Sequence, residues 1–345
     1  MITSLHEDKK IHALRQLIDE SERIVAIVHS SPDGDAIGSA TAFRSVMEQL
    51  GKEVRIIIPN MMLASLRTVP GAKEAIDAVK HPDFARQLVA DADLLMCLDF
   101  NQPSRAGDLL SEAITTSKAR KALIDHHLDP GDFADVTISR PEMSSTCFLL
   151  FKVLCSMEMF DYINRAAAES ILTGMMTDTG NFSYNAADPE IYIVISELLK
   201  KGADKEKIWR RQFETHSKDS LELNAYAIYK KMEVWDDMGA ALIVLSRDEL
   251  NRFHYVKGDT EGLVNRPLAI PGVHYSCFLR EEEKCIKVSM RSVGNFPVNV
   301  LCSEHFGGGG HLNAAGGEFQ GTLDEAASLF RSLLKTNKDL YLSNK

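Results

Sequence analysis

Three short apolar runs in the first half of the chain, Ile24–Val28, Leu94–Leu98 and Ala122–Ile124, each stop at a histidine or an aspartate: His29, Asp99 and Asp125. Runs this short, bounded by turn residues, read as buried strands. Helical stretches lie between them. Residues 8–22 carry Ile11, Leu14, Leu17 and Ile18 at helical spacing, residues 37–50 end at Gly51, and weaker patterns cover 66–79, 84–89 and 109–115. Val54–Ile58 adds a strand closed by Pro59. Strand and helix in alternation build a parallel sheet, and the C-terminal ends of parallel strands share the edge where ligands bind. The pattern therefore predicts that His29, Asp33, Asp35, Asp99 and Asp125-His126-His127 converge. A further helix over about 165–176 delivers Asp178 at its end.

Carboxylates and imidazoles at the ends of buried strands are costly unless something binds them. Aspartate with histidine suits Mn²⁺, Mg²⁺, Fe²⁺ or Zn²⁺, and the lack of cysteine ligands speaks against a structural zinc. The groups outnumber what one tetrahedral ion needs. Two ions sharing a carboxylate would use them, and such a pair suits phosphoester hydrolysis. Each piece also has a plainer reading. Pro32-Asp33-Gly34-Asp35 is a common turn whose acids can cap the next helix, and Asp99 or Asp178 can be a cap or turn residue. The Asp-His-His triplet resists that reading, and all the plain readings would have to hold together.

The six cysteines, 97, 147, 155, 277, 285 and 302, form no CxxC pair and read as reduced thiols. The charged N-terminus has no apolar leader core, and no apolar run approaches a membrane span. A cytoplasmic protein is expected. With 345 residues, two domains are expected. A net charge of −10 argues against a general grip on long nucleic acid but not against a small basic pocket.

Residues 200–222 are charged and read as a partly helical linker. Beyond it, 223–234 reads as a helix and Ala240–Leu245 as a strand. Ser246-Arg-Asp-Glu249 has capping-box spacing, and 274–279 with 285–290 reads as a hairpin around Glu281–Lys284. Gly307–Gly310 allows close backbone approach with exposed N–H groups, as anion sites require, and His311 stands beside it. A plain flexible loop is the alternative.

His29-Ser-Ser-Pro-Asp-Gly-Asp-Ala-Ile-Gly, Asp99, Asp125-His126-His127 and Thr177-Asp-Thr-Gly-Asn-Phe182, in this order, resemble the motifs of the DHH phosphoesterase superfamily. Phe306-Gly-Gly-Gly-Gly-His-Leu-Asn-Ala-Ala-Gly-Gly317 is similar to the hallmark of its DHHA1 domain. Order and length resemble the stand-alone oligoribonuclease and pAp (3′-phosphoadenosine 5′-phosphate) phosphatase branch. The resemblance implies an α/β protein with a parallel-sheet DHH domain over 1–199, a linker over 200–222, and a smaller mixed-sheet DHHA1 domain over 223–345. It implies two divalent ions, most often Mn²⁺. His29, Asp33 and Asp99 would hold the first, and Asp35, Asp99, His126 and Asp178 the second. His127 would face the substrate phosphate and assist the leaving oxygen, with Asp125 orienting the histidines. Arg291, Ser292, Gly309, Gly310 and His311 would hold the nucleotide end, with Arg266 and Lys287 as further charges or plain surface ion-pair residues. Asn101 departs from the family, which often carries an acid there.

The expected activity is hydrolysis of short RNA to mononucleotides and of pAp to AMP. Expected partners are short single-stranded RNA or nucleotides, not duplex or membrane, with a possible homodimer. Rivals are a cyclic di-AMP or pApA phosphodiesterase, a pyrophosphate or polyphosphate hydrolase (against which the DHHA1-like glycines speak), and a non-catalytic nucleotide-binding protein.

Overall fold

The computed structural model describes residues 5 and 7–343, and in the last helix the side chains up to 336 and that of 338. The outer ends of the two expected domains (residues 1–4 and 344–345), and with them part of the leader reading, lie outside the described residues. The chain divides between residues 215 and 216 into two units.

The first unit runs α1 (Asp8–Glu20), β1 (Arg23–Ile27), α2 (Gly34–Gln49), β2 (Glu53–Ile58), β3 (Ile76–Asp77), α3 (Pro82–Asp91), β4 (Leu94–Leu98), α4 (Gly107–Thr116), β5 (Arg120–Asp125), β6 (Val136–Ser139), α5 (Thr146–Ser156), α6 (Arg165–Asp178), α7 (Pro189–Lys200) and α8 (Lys205–Phe213). Its six strands are all parallel, in the order β3-β2-β1-β4-β5-β6. Both faces are covered, so side chains one residue apart enter different cores. Ile24, Ala26 and Val28 of the β1 segment join one core with Leu94, Met96, Leu98, Ala122 and Ile124. Val25 and Ile27 join the other with Leu95, Cys97 and Leu123. Helices α1, α2, α5 and α6 close the first face, and α3 and α4 the second.

The strand order reverses between β1 and β4. β1 leads outward to β2, whereas β4 starts the other half, so the loops after these two strands diverge and leave a crevice. His29 follows β1 and Asp99 follows β4, one on each side of that crevice.

Helices α2 and α6 pack very closely, because small residues face each other. A Cβ on Gly38 would stand 2.6 Å from the Ser170 carbonyl oxygen, and one on Gly174 would stand 2.6 Å from Asp35 Oδ1 and 2.2 Å from Cys147 Sγ. The contact sets Asp35 on α2 beside the end of α6, which is Asp178 itself.

The second unit holds α9 (Lys218–Tyr226), β7 (Met232–Trp235), β8 (Ala240–Leu245), α10 (Arg247–Arg252), β9 (Tyr275–Glu281), β10 (Ile286–Ser292), α11 (Val298–His305), β11 (Gly308–His311), β12 (Ala314–Phe319) and α12 (Leu323–Ser343). Its sheet is mixed, in the order β11-β12-β10-β9-β8-β7, with only the β8–β9 pair parallel among the described pairings. The β9–β10 hairpin and the Ser246–Glu249 capping box form as expected.

Several elements differ from expectation. The stretch 66–79 forms short 3₁₀ turns and the brief strand β3 rather than a helix. The helix expected over 223–234 ends at Tyr226, passes through one π-helical turn, and gives way to β7, since Met232–Trp235 pairs with β8. The segment 200–222 holds α8, whose Ile208 joins the first unit's core, and the start of α9 in the second unit. The glycine run is an edge strand rather than a loop.

Alanine for glycine inside a helix normally stabilises by about 1 kcal/mol. For Gly38→Ala the sign reverses, with a loss of roughly 1–3 kcal/mol from overpacking against the Ser170 carbonyl. A lowered urea midpoint with unchanged m-value checks it.

Candidate metal centre

Each candidate side chain is fixed by its own element. His29 donates from Nδ1 to the Ser30 carbonyl (2.9 Å), His126 from Nδ1 to the Met143 carbonyl (3.2 Å), and His127 from Nδ1 to Asp125 Oδ1 (2.7 Å). Anchoring Nδ1 selects the tautomer and turns Nε2 to the work of the site. His29 Nε2 stands 3.5 Å from Asp99 Oδ2 and 3.8 Å from Asp33 Oδ1. His126 Nε2 stands 3.1 Å from Asp178 Oδ2, 3.7 Å from Asp99 Oδ1 and 4.0 Å from Asp35 Oδ2. The donor atoms of His29, Asp33 and Asp99 lie within 4.8 Å of one another, as do those of Asp35, His126 and Asp178.

Asp99 faces both groups, one oxygen to each histidine. It is 1% exposed and its φ is +65°, a backbone state that aspartate tolerates better than most residues. The turn after β4 aims the carboxylate into the crevice.

Asp33 does two things. Its Oδ1 accepts from the Asp35 and Ala36 N–H groups and caps α2, as the plainer reading of the turn foresaw. It also belongs to the His29 group and is half exposed.

Asp35 is fully buried and held by two donors that the sequence reading missed. The Thr146 N–H reaches its Oδ2 at 2.6 Å and the Cys147 N–H its Oδ1 at 2.8 Å. Both open α5, whose N-cap is Ser145. Thr146 also donates from Oγ1 to Asp99 Oδ1 at 2.9 Å. The pattern Ser144-Ser145-Thr146 before an apolar run is a helix-start signature that could have marked this segment.

The electrostatics ask for cations. Burial, then the charge of Asp178, pushes the Asp35 carboxyl up from its ordinary range. Burial, then Asp35, does the same to Asp99, and burial with Asp33 and Asp99 does so to Asp178. For His126 burial works against the charged form, yet Asp178, Asp99 and Asp35 outweigh it and its pKa rises to about 11. The carboxylates thus recruit protons where positive charge is wanted. Oxygen and imidazole donors of this kind fit divalent ions. Cys147 does not join them: burial holds its thiol well above the ordinary value.

Asp125 is 0% exposed, and its second oxygen, Oδ2, has no hydrogen-bond partner. Its first orients His127, which is 21% exposed. Asn101 donates from Nδ2 to the Leu128 carbonyl (2.7 Å), and its own carbonyl accepts from Gly131, so it pins the loop after the triplet. An acid at this position could not donate that bond.

The residues expected to hold a nucleotide end lie in the second unit. Gly309 and Gly310 form β11, with His311 exposed at its end, and β11 pairs with β12. A Cβ on Gly308 or Gly310 would strike the β12 backbone at 2.0 or 2.4 Å, so these glycines serve close strand approach, whereas one on Gly309 would meet nothing within 4 Å. Arg291 donates to the Met290 carbonyl, and Lys287 pairs with Glu318. Ser292 is buried: it donates to the Phe296 carbonyl and accepts from Asn313. Its hydroxyl braces the loop to β11. Among the described residues no helix is long and apolar enough to cross a membrane.

Residues 23–175 match the model of the DHH family N-terminal domain, and residues 241–336 match the DHHA1 domain. The crystal structure of an exopolyphosphatase-related protein from Bacteroides fragilis is 45% identical, with a TM-score of 0.95 over 98% of this chain and 99% of that one. The bifunctional oligoribonuclease and PAP phosphatase NrnA of Thermus thermophilus is 30% identical over 88% of this chain and 86% of its own. The cyclic-di-AMP phosphodiesterase GdpP of Geobacillus thermodenitrificans is 26% identical over 94% of this chain, which spans 49% of that protein. With the crevice at the strand reversal, the donor groups gathered on it and both domain models matched in order, the chain belongs to the DHH/DHHA1 phosphoesterase family.

Proposed function

We propose that this protein is a two-metal phosphoesterase that hydrolyses short oligoribonucleotides to mononucleotides and pAp to AMP. One observation carries the chemistry: the two oxygens of Asp99 face two separate donor groups, His29 with Asp33 and His126 with Asp35 and Asp178. In this reading those groups each hold one divalent ion, with Mn²⁺ the expected metal. Bound there, the pair would activate a water and neutralise charge on the phosphoryl oxygens.

The protein's own side chains do the rest. Asp125 holds His127 through Nδ1, so Nε2 is the nitrogen that meets the substrate. Burial opposes the imidazolium, but the hydrogen bond that His127 donates to Asp125 and the charge of Asp99 raise the His127 pKa. His127 thus holds its proton to higher pH than a free imidazole would, and can pass it to the leaving oxygen. Gly309, Gly310, His311 and Arg291 are proposed to hold the nucleotide end. Ser292 would act through Asn313 and the loop it braces.

The substrate assignment is supported by the likeness to NrnA, which extends along most of both chains. A second reading, cleavage of cyclic di-AMP or pApA, is favoured by the likeness to GdpP over 94% of this chain. A cytoplasmic site of action is supported by the six free cysteines among the described residues.

Parallel assays with a 5′-labelled RNA dinucleotide, an RNA pentamer, pAp, cyclic di-AMP and polyphosphate test the assignment. Mononucleotides from the RNAs and phosphate from pAp are expected. Cleavage confined to cyclic di-AMP, or to polyphosphate, would replace it. Asp99→Ala should abolish turnover on every substrate.

Calorimetric titration of metal-free protein with Mn²⁺ should give two ions per chain. Imidazole nitrogens bind metal only when neutral, so His126 must lose its proton, and binding should release protons and weaken as pH falls. Titration in buffers of different ionisation enthalpy checks this; proton uptake would contradict it.

Asp125→Asn replaces the carboxylate whose hydrogen bond, with a smaller share from its charge, raises the His127 pKa. The alkaline limb of kcat should move to lower pH, and kcat should fall by roughly a hundredfold. An unmoved limb would exclude His127 as the proton donor.

A further inference from the structure

A cavity of about 410 Å³ lies in the first unit, beyond the C-terminal ends of β2 and β3. Arg67, Lys73, Lys80 and His81 line it, with Met61 and Phe84. The protein carries a net charge of −10, so a cationic hollow on it stands out. Its single acid, Asp77, accepts from the Val79 and Lys80 N–H groups and pairs with Lys80 at 3.6 Å. The neighbouring Glu74 is paired with Arg44 at 2.8 Å. Among the described residues neither Arg67 nor Lys73 has a carboxylate within ion-pair distance.

Exposed cations alone are ordinary solvated side chains. What separates this place from plain surface is the apolar area within the same hollow. Phe84 is 52% exposed and Met61 53%, and both face a space large enough for a small ligand. An aromatic face beside unpaired cations is the chemistry of a stacked base with its phosphate.

The cavity also adjoins the metal centre's own loops. Ile58 lines it and ends β2, and two residues on, Asn60 Oδ1 accepts from the Ser31 N–H at 2.6 Å. Ser31 lies in the loop that carries His29 and Asp33. β2 is the neighbour of β1 and β3 the next strand out, so the cavity lies one to two strand spacings, about 5–10 Å, from β1 along the same sheet edge.

We propose that this cavity binds a nucleoside monophosphate unit, with the base on Phe84 and Met61 and the phosphate on Arg67 and Lys73. Where the unit belongs to the substrate chain, the inference rests on the oligonucleotide reading above; where it is a free mononucleotide, it does not.

Photolabelling with 8-azidoadenosine 5′-monophosphate, followed by peptide mapping, reads the site directly. Label is expected on the segment 61–84. AMP should compete it, inorganic phosphate at equal concentration should not, and Arg67→Ala/Phe84→Ala should lose it. Absence of label from this segment, or equal competition by phosphate, overturns the proposal. Steady-state kinetics of the same variant on the RNA dinucleotide and pentamer separate the two sources. A KM raised about tenfold for the pentamer alone assigns the unit to the substrate chain. Unchanged KM for both, with labelling intact in the wild type, assigns it to free nucleotide. Unchanged dinucleotide turnover also shows that the variant is folded. Labelling without any oligonucleotide hydrolysis would refute the activity and leave the cavity's ligand standing.

Discussion

The structure depends on one shared carboxylate. Asp99 is buried, sits in a left-handed backbone turn, and faces a histidine with each of its oxygens. That arrangement needs a strand ending on either side of a crevice. The reversal of strand order between β1 and β4 supplies it. The donors that Asp99 joins arrive from the β1 loop, the β5 loop and the ends of α2 and α6. Much of the first unit can be understood as the means of holding these ends together. The small residues between α2 and α6 fix Asp35 beside Asp178, and the first N–H groups of α5 clamp Asp35 from the other side.

Buried like charges make such a site unfavourable in the protein alone. Three carboxyls are pushed upward mainly by burial, and the imidazole among them holds its proton strongly. For Asp35 the fold offsets this with two backbone N–H donors and close packing at Gly174. Strain kept in place by surrounding structure is what a preorganised cation site requires. His127 lies at the edge of this cluster, with Nδ1 3.8 Å from Asp99 Oδ1 and 2.7 Å from Asp125 Oδ1. Its Nδ1 donates to Asp125, and the proposed function uses the remaining nitrogen, Nε2, for proton transfer.

Much of this was legible in the residues. Short apolar runs ending in His29, Asp99 and Asp125 gave away a parallel sheet and the edge where its ligands gather, because period and punctuation are local properties. Ser144-Ser145-Thr146 could mark the start of α5, but not that its first N–H groups would clamp Asp35, since that depends on which helix start meets which carboxylate. The role of Gly38 and Gly174 was equally hidden, because it depends on which helices meet. Met232–Val234 looked helical until its partner β8 decided otherwise, as tertiary pairing overrides local preference. The glycine run suggested close backbone approach with N–H groups exposed to an anion; at 308 and 310 the close approach is to β12. Ser292 looked available from sequence, and burial turned it inward.

The central claim is that Asp99 joins two metal sites. An anomalous-difference map from crystals soaked in Mn²⁺ tests it most directly. The account predicts two peaks about 3.5–4 Å apart, one beside His29 and Asp33, the other beside His126, Asp35 and Asp178, with Asp99 between them. A single peak, or two peaks that Asp99 does not link, would contradict it.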